Sequence, residues 1–353
     1  MGEMVLAMHG KAAELAAALD VVAEPGLLAG LFQDIQAFVA ASAGAGDALE
    51  TGRLAAALND RLLARAAALA RDGPGRPPDG WCLLVLGSQG RGEQFLATDQ
   101  DNLLIVPEGE GEGGECATFA GRLRDILDAC GLPPCPKGIM AATPAWRKPL
   151  GRWLAAVDAA AERPDEAGVL LVSLLADGRA VAGDERLAQA LAGHVRRRAA
   201  EAPLLVRGLA REAIRFAPST PFGGHLSLGL FGFGHAPCDS KRAAVYPLVL
   251  GVKALALEAG LQQTGTVSRI EALAGRGRVG RELAERLVRA FAAVQAVRLD
   301  GQARAWREGA APGNRLDPDR LPLAAKEGLH RAFRAVAELC AILEHHFGLA
   351  YLT

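Results

Sequence analysis

The chain has no surplus of charge of either sign. Its 39 Lys plus Arg stand against 40 Asp plus Glu, a net charge of -1. It therefore lacks the basic excess with which proteins grip nucleic acid through phosphates, and a long polynucleotide is disfavoured as partner, although a local basic cleft is compatible with the balance. Its six cysteines, at 82, 116, 130, 135, 238 and 340, never form a Cys-x-x-Cys pair. Neither a zinc framework nor a disulfide framework is suggested, and they read as reduced thiols. No uncharged apolar run reaches about 18 residues, and Met1-Gly-Glu-Met-Val-Leu6 lacks a basic region, an apolar core and a small-residue cleavage site. The expectation is a soluble cytoplasmic protein with no membrane partner. No Gly-x-Ser-x-Gly elbow and no Gly-Lys-Ser phosphate loop occur, which sets aside serine hydrolase and P-loop ATPase chemistry. The histidines, including His225, His235 and the pair His345-His346, show no i, i+4 pairing of the kind a zinc helix needs.

What is present is a large apolar fraction, 50% of 353 residues, enough to build a substantial core and two or three domains. Residues 11 to 72 are rich in Ala and Leu with charges at helical intervals, predicting amphipathic helices. Asp72-Gly-Pro-Gly-Arg-Pro-Pro-Asp-Gly80 breaks that pattern and reads as a linker. Trp81–Leu86 and Leu103–Val106 are short apolar runs that read as buried strands, the one clearly strand-like region. The acidic, Gly-rich stretch 107 to 114 reads as a solvated loop, and helical spacing resumes over Ala117–Ala129. From about residue 150 onward nearly everything reads as helix, punctuated by Gly and Pro at 218 to 237 and 309 to 318. The plan is a helical arm, a small α/β unit and a helical C-terminal domain.

Chemistry concentrates in Leu86-Gly-Ser-Gln-Gly-Arg-Gly-Glu-Gln-Phe-Leu-Ala-Thr-Asp-Gln-Asp-Asn102. This is a strand, a glycine-rich turn, a short helix and a second strand. Gly87 and Gly90 let the backbone turn tightly and approach a ligand; amides around Ser88 would face a phosphate, and its hydroxyl would add a donor. Asp99 and Asp101, two apart at the start of the second strand, would emerge on one face about 6 to 7 Å apart along the backbone. Two carboxylates so placed suit magnesium, which takes a few carboxylates together with phosphate oxygens. The combination predicts nucleotidyl transfer from a nucleoside triphosphate. Arg91 would either pair with phosphates through its planar fork or be neutralised by Glu93 to order the turn.

The spacing Gly-Ser, ten residues, Asp-x-Asp resembles the signature of the DNA polymerase β nucleotidyltransferase superfamily. The longer strings Gly87-Ser-Gln-Gly-Arg-Gly-Glu-Gln94 and Thr98-Asp-Gln-Asp-Asn102 resemble nucleotidyltransferases often fused to cyclic-nucleotide-binding and CBS domains, relatives of the uridylyltransferase of nitrogen signalling. Cys135-Pro-Lys-Gly-Ile-Met140 with Trp146-Arg147, Asp177-Gly-Arg-Ala-Val-Ala-Gly-Asp184, Asp239-Ser-Lys-Arg242 and Arg298-Leu-Asp-Gly-Gln302 with Asn314 resemble that family's segments in order, over roughly residues 30 to 350.

The resemblance implies an α+β, mostly helical fold: a small mixed-sheet nucleotidyltransferase core flanked by an N-terminal helical arm and a C-terminal helical bundle. The boundaries it suggests are a helical arm over 1–75, a nucleotidyltransferase domain over 76–198 and a substrate-binding helical domain over 199–353. It implies Asp99 and Asp101 as catalytic residues and as ligands of Mg2+ or Mn2+, with Gly87, Ser88, Gly90 and Arg91 on the nucleotide. Lys241 and Arg242, opening a helix-like run after Phe231-Gly-Phe-Gly-His235, would present cations to a phosphate across an interdomain cleft or form a first-turn salt bridge. The expected partners are a nucleoside triphosphate and a protein or small-molecule acceptor. Residues 1–75 are too few and too helical for either sensory module, so regulation is expected from a separate partner or from the arm.

Many polymerase β relatives carry a third carboxylate on a later strand. The corresponding stretch here, Cys135 to Met140, holds no acid and instead carries Lys137. That departure keeps a second reading open, a catalytically inactive nucleotide-binding regulatory module. Asp177 and Arg179 read as charges bracing a helix terminus.

Overall fold

The computed structural model describes residues 2–44, 47–73, 75–96, 98–109, 114–216 and 238–349, with the side chains of residues 2–4 and 238 excepted. The expected loop at 107 to 114 lies partly, and the Phe231–His235 stretch wholly, outside these residues. Among them the fold is α+β and mostly helical, with one small mixed sheet.

Three helices open the chain: α1 (Gly2–Val21), α2 (Pro25–Ser42) and α3 (Ala48–Arg71). Pro25 starts α2 where a missing amide costs nothing, and the Asp47 side chain accepts from the Leu49 amide at 2.8 Å to cap α3. The sheet follows. Strands β1 (Cys82–Val85) and β2 (Asn102–Val106) flank the single helical turn α4 (Gly87–Gly90), and α5 (Glu115–Ala129) comes next. Every residue of β1 and β2 is buried, as their unbroken apolar sequence requires.

Two further strands complete the sheet in the order β3-β2-β1-β4: β3 (Arg147–Pro149), parallel to β2, and β4 (Arg179–Gly183), antiparallel to β1 with a bulge at Leu83/Leu84. These fit the expected small mixed sheet and correct the reading of 81–106 as the one clearly strand-like region, with nearly everything from about residue 150 onward as helix. Arg-Lys-Pro and Arg-Ala-Val-Ala-Gly carry no apolar alternation of their own, and they are strands because β2 and β1 offer them edges. Between them run α6 (Leu150–Glu162) and α7 (Glu166–Leu175); α8 (Glu185–Glu201) follows.

The chain divides into two compact units, residues 1–158 with 174–195, and 159–173 with 196–353. In the first, the three N-terminal helices pack on one another, α2 and α3 on α5, and α3 on β4, burying Leu28, Ile35, Leu62, Phe119 and Leu123, and the Trp81 and Phe119 rings meet at 5.1 Å. Summed over such side chains, at about 1.5–3 kcal/mol each, burial is the main stabilising term. In the second unit α9 (Pro203–Arg215), α10 (Tyr246–Glu258), α11 (Thr266–Gly275), α12 (Arg281–Arg307) and α13 (Leu323–His346) form a bundle, with a two-residue ladder between β5 (Cys238–Asp239) and β6 (Arg315–Leu316). Gly251 lets α10 and α13 approach closely, since a Cβ there would lie 2.6 Å from Leu343 Cδ1. Among the described residues no helix is long and apolar enough to cross a membrane.

Candidate functional site

β1 ends one residue before the glycine-rich turn. The Leu86 amide still donates to the Asp101 carbonyl at 3.0 Å, so the pairing of β1 with the approach to β2 brings Gly87 beside Asp101. Gly87 has φ +56°, a conformation that favours glycine, and a Cβ there would stand 3.2 Å from Asp101 Oδ2. Gly90 is needed for a different reason. A Cβ at Gly90 would lie 2.0 Å from the Asp177 carbonyl, so the turn is pressed against the chain that leads into β4. The Gly90 and Arg91 amides donate to the Leu86 and Gly87 carbonyls, and the Glu93 amide to the Ser88 carbonyl at 2.8 Å.

Side chains fasten this turn from several directions. Arg91 donates to Glu93 at 2.7 Å and to Asp177 at 2.6 Å. Its guanidinium is 9% exposed and the Asp177 carboxylate 1%. Burial alone would pull the Arg91 pKa down, yet Asp177 and Glu93 hold it above its ordinary value. Of the two roles expected for Arg91, the geometry is that of neutralisation by Glu93, with Asp177 as second partner.

From α3, Asp60 accepts from Gln89 at 3.1 Å and from Arg179 at 2.5 Å, while Arg179 also donates to the Gln89 carbonyl. Burial raises the Asp60 pKa, opposed by Arg179 and Gln89. Asn59 donates to Gln94 at 2.8 Å, and Gln94 in turn donates to Thr98. Asp177 and Arg179 thus brace structure, as expected, although Arg179 does so from a strand and not from a helix end.

Asp99 and Asp101 precede β2, which begins at Asn102. The Asp101 amide donates to the Asp99 carbonyl at 3.2 Å, so the pair sits in a tight turn and not on regular strand. This corrects the strand-based spacing. One donor atom from each carboxylate and the sulfur of Cys135 all lie within 4.8 Å of one another, both aspartates partly exposed and Cys135 buried.

The Cys135 segment runs alongside the approach to β2. The Gln100 amide donates to the Pro133 carbonyl, the Asn102 amide to the Ile139 carbonyl, and the Ala141 amide to Asn102 Oδ1 at 2.8 Å. Arg147 donates to the Ala141 and Ala142 carbonyls. Burial pushes the Cys135 thiol above its ordinary range and its hydrogen bond with Asp101 pushes the same way, against the backbone amides of Ile139 and Lys137. Cys135 is the member of the cluster that residue-by-residue reading missed, since only the lack of an acid in its segment is visible there. Among the described residues no third carboxylate joins the cluster, and Lys137 is exposed on the turn.

Gly87, Ser88, Gly90, Arg91, Asp99 and Asp101 all belong to the first unit, whereas Lys241 and Arg242 belong to the second. There, Asp239 Oδ1 accepts from the Lys241 and Arg242 amides at 2.9 and 3.0 Å. Lys241 Nζ lies 5.6 Å from the Tyr246 ring and the Arg242 guanidinium 5.5 Å from that of Phe216.

The donor set fits a divalent cation. Two partly exposed carboxylates meeting at a glycine turn suit a hard ion that keeps room for phosphate oxygens; a thiol adds a softer donor.

Comparison with known proteins agrees with this architecture. Residues 33–167 match the family model described as "Putative nucleotidyltransferase DUF294", and residues 203–347 match the one described as "Putative nucleotidyltransferase substrate binding domain". A search of curated proteins finds no match. With the two models matched in order across most of its length, the chain belongs to the DUF294 nucleotidyltransferase family.

Proposed function

We propose that the first unit binds a nucleoside triphosphate with a divalent cation, Mg2+ or Mn2+, and transfers the nucleoside monophosphate to a protein or small-molecule acceptor. The observation that carries this reading is the meeting of Asp99 and Asp101 at the Gly87 turn, with Gly87 only 3.2 Å, at its missing Cβ, from an Asp101 oxygen. Asp99 and Asp101 would hold the cation. Bound there, it would neutralise phosphate charge and orient the oxygens of an in-line displacement. Gly87 keeps a side chain away from the Asp101 oxygen and the triphosphate, Gly90 seats the turn that carries the phosphate-facing amides against the Asp177 carbonyl, and the Ser88 hydroxyl donates to a phosphate oxygen. The acceptor oxygen forms its bond to the α-phosphorus as the bond to the bridging oxygen breaks, and pyrophosphate leaves.

In this reading Lys241 and Arg242 are phosphate-binding cations of the second unit. Arg91, read from sequence as a nucleotide ligand, acts through Glu93 and Asp177 to hold the turn. The functional division is a helical arm to residue 75, a nucleotidyltransferase domain to 198 and a substrate-binding domain beyond, and the role is cytoplasmic signalling or regulation.

The second reading, a nucleotide-binding regulatory module without catalysis, draws on one observation: Cys135 stands in the cluster where a third carboxylate would serve as base or ligand. One experiment separates the two. Pyrophosphate release is measured for each of the four ribonucleoside triphosphates with Mg2+ or Mn2+ and cell extract, for wild type and for Asp99→Ala with Asp101→Ala. The transferase predicts release that falls by about a hundredfold or more in the variant. Release that survives the double substitution would overturn the assignment. Cation-dependent nucleotide binding without release selects the regulatory module.

A further inference from the structure

From sequence α3 reads as part of a separate arm, yet one of its faces is built around the segment that leads into Asp99. We infer that Asn59 on α3 is a positioning residue for Asp99, acting through Gln94 and Thr98, so that α3 is a working part of the site. The inference rests on the reading of Asp99 as a cation ligand and deepens it.

The connection is short. Asn59 Nδ2 donates to Gln94 Oε1 at 2.8 Å, and Gln94 Nε2 donates to Thr98 Oγ1. All three side chains are buried. Thr98 immediately precedes Asp99. Its amide closes a turn onto the Leu96 carbonyl at 3.0 Å, and the Asp101 amide closes the next onto the Asp99 carbonyl. Between two tight turns the backbone has little freedom, so holding the Thr98 hydroxyl sets where the Asp99 carboxylate begins.

A second observation is independent of those bonds: this face of α3 is costly to keep. Asn59 Oδ1 is buried with no hydrogen-bond partner among the described residues. A buried polar atom left unpaired opposes folding, and a partly satisfied polar chain is less stable than an apolar filling. Gly52 lies inside the 24-residue α3, where glycine is a poor helix former. A Cβ there would stand 3.3 Å from Phe95 Cε1 and 3.6 Å from Glu93 Cα, so the missing side chain lets α3 lie against the backbone of residues 93–95. Gly52, Ala56 and Asn59, spaced by four and three, share one face of the helix.

Packing alone would favour an apolar side chain at 59. What an amide adds is direction: it orients the Gln94 side chain, which an apolar neighbour would leave free to turn, and Gln94 orients Thr98. Asp60, the next residue of α3, accepts from Gln89 and Arg179 at the other end of the motif, so a single helix holds both the glycine turn and the approach to Asp99. A divalent ion of the magnesium kind demands near-ideal ligand geometry, and residues that hold its ligands in place change affinity by about 10–100-fold when removed.

The test measures Mn2+ binding to the 353-residue chain by the paramagnetic signal of the free ion, with denaturant unfolding of each variant alongside. Asn59→Leu with Gln94→Met replaces both amides by apolar groups of similar size. Its unfolding midpoint should stay at or above that of wild type while Mn2+ binds about tenfold more weakly. Thr98→Val, which keeps the shape and deletes the hydroxyl, should weaken binding likewise, whereas Thr98→Ser, which keeps the hydroxyl, should bind as wild type does. Wild-type affinity in Thr98→Val or in the folded double variant overturns the positioning role and leaves Asp99 a ligand. Thr98→Ser binding as weakly as Thr98→Val assigns the loss to packing and overturns it too. Binding that is unchanged in Asp99→Ala, or no Mn2+ binding by wild type, overturns the reading of Asp99 and this inference together.

Discussion

Two segments bring donor atoms to the cluster, and they are held by different means. Residues 87–101 are held by side chains: Arg91 between Glu93 and Asp177, Gln89 on Asp60, Gln94 between Asn59 and Thr98. Residues 135–141 are held largely through backbone: Gly138 to Cys135, Asn102 to Ile139, Ala141 to the Asn102 side chain, with Arg147 gripping two carbonyls. A segment held by side chains needs particular residue types at particular positions, so it leaves a readable motif. One held by backbone bonds accepts many sequences, and its role is set by where the chain is led.

The largest effect that tests this contrast is on Arg91. Arg91→Ala takes the guanidinium away from two carboxylates, one of them 1% exposed, and should destabilise the first unit by about 3–5 kcal/mol, measured by denaturant unfolding. Asp177→Asn in the same background should recover much of the loss. If Arg91→Ala left stability untouched and weakened nucleotide binding instead, side-chain fastening would be the wrong description and Arg91 would be a ligand residue.

A smaller effect is expected at Arg147. Arg147→Ala removes donors to the Ala141 and Ala142 carbonyls and should cost about 1–3 kcal/mol, concentrated locally. Amide exchange should quicken over residues 135–142 and stay slow over 82–91. Equal acceleration of both segments would show that they are a single unit and break the comparison.

The smallest effect concerns Asp60, which supports the side-chain-held turn from α3. Burial raises its pKa above the ordinary 3.8, against Arg179 and Gln89. A carboxyl raised in the fold favours folding when protonated; its contribution is full below 3.8 and is lost as pH rises through the raised value. Relative to Asp60→Asn, wild type should therefore lose thermal stability as pH rises from 3.8 through the raised value. Identical pH profiles for the two proteins would remove burial of Asp60 from the account.

The sequence was legible where its residues act locally. The apolar runs Trp81–Leu86 and Leu103–Val106 have few alternatives to buried strands, the helical spacing of 48–71 has few alternatives to an amphipathic helix, and Gly87-Ser88 with Asp99 and Asp101 marks by residue type the candidate site at which the structure brings the turn and the two carboxylates together. The α+β, mostly helical plan could be read from these pieces and from the family resemblance, and the structure has it.

Tertiary structure alone decided the rest. Arg179–Gly183 is a strand because β1 offers it an edge; nothing in Arg-Ala-Val-Ala-Gly requires it. Asp60, on a helix that reads as part of a separate arm, reaches Gln89 and Arg179 because α3 packs beside the motif. Asp99 and Asp101 come together through a tight turn and not through strand pleat. Cys135, 34 residues beyond Asp101 by the numbering, joins them through backbone hydrogen bonds to Asn102 and Gln100. Such bonds are made by groups that every residue but proline carries in full, so the sequence holds no letter for them, and only the folded chain shows which distant sulfur faces the two carboxylates.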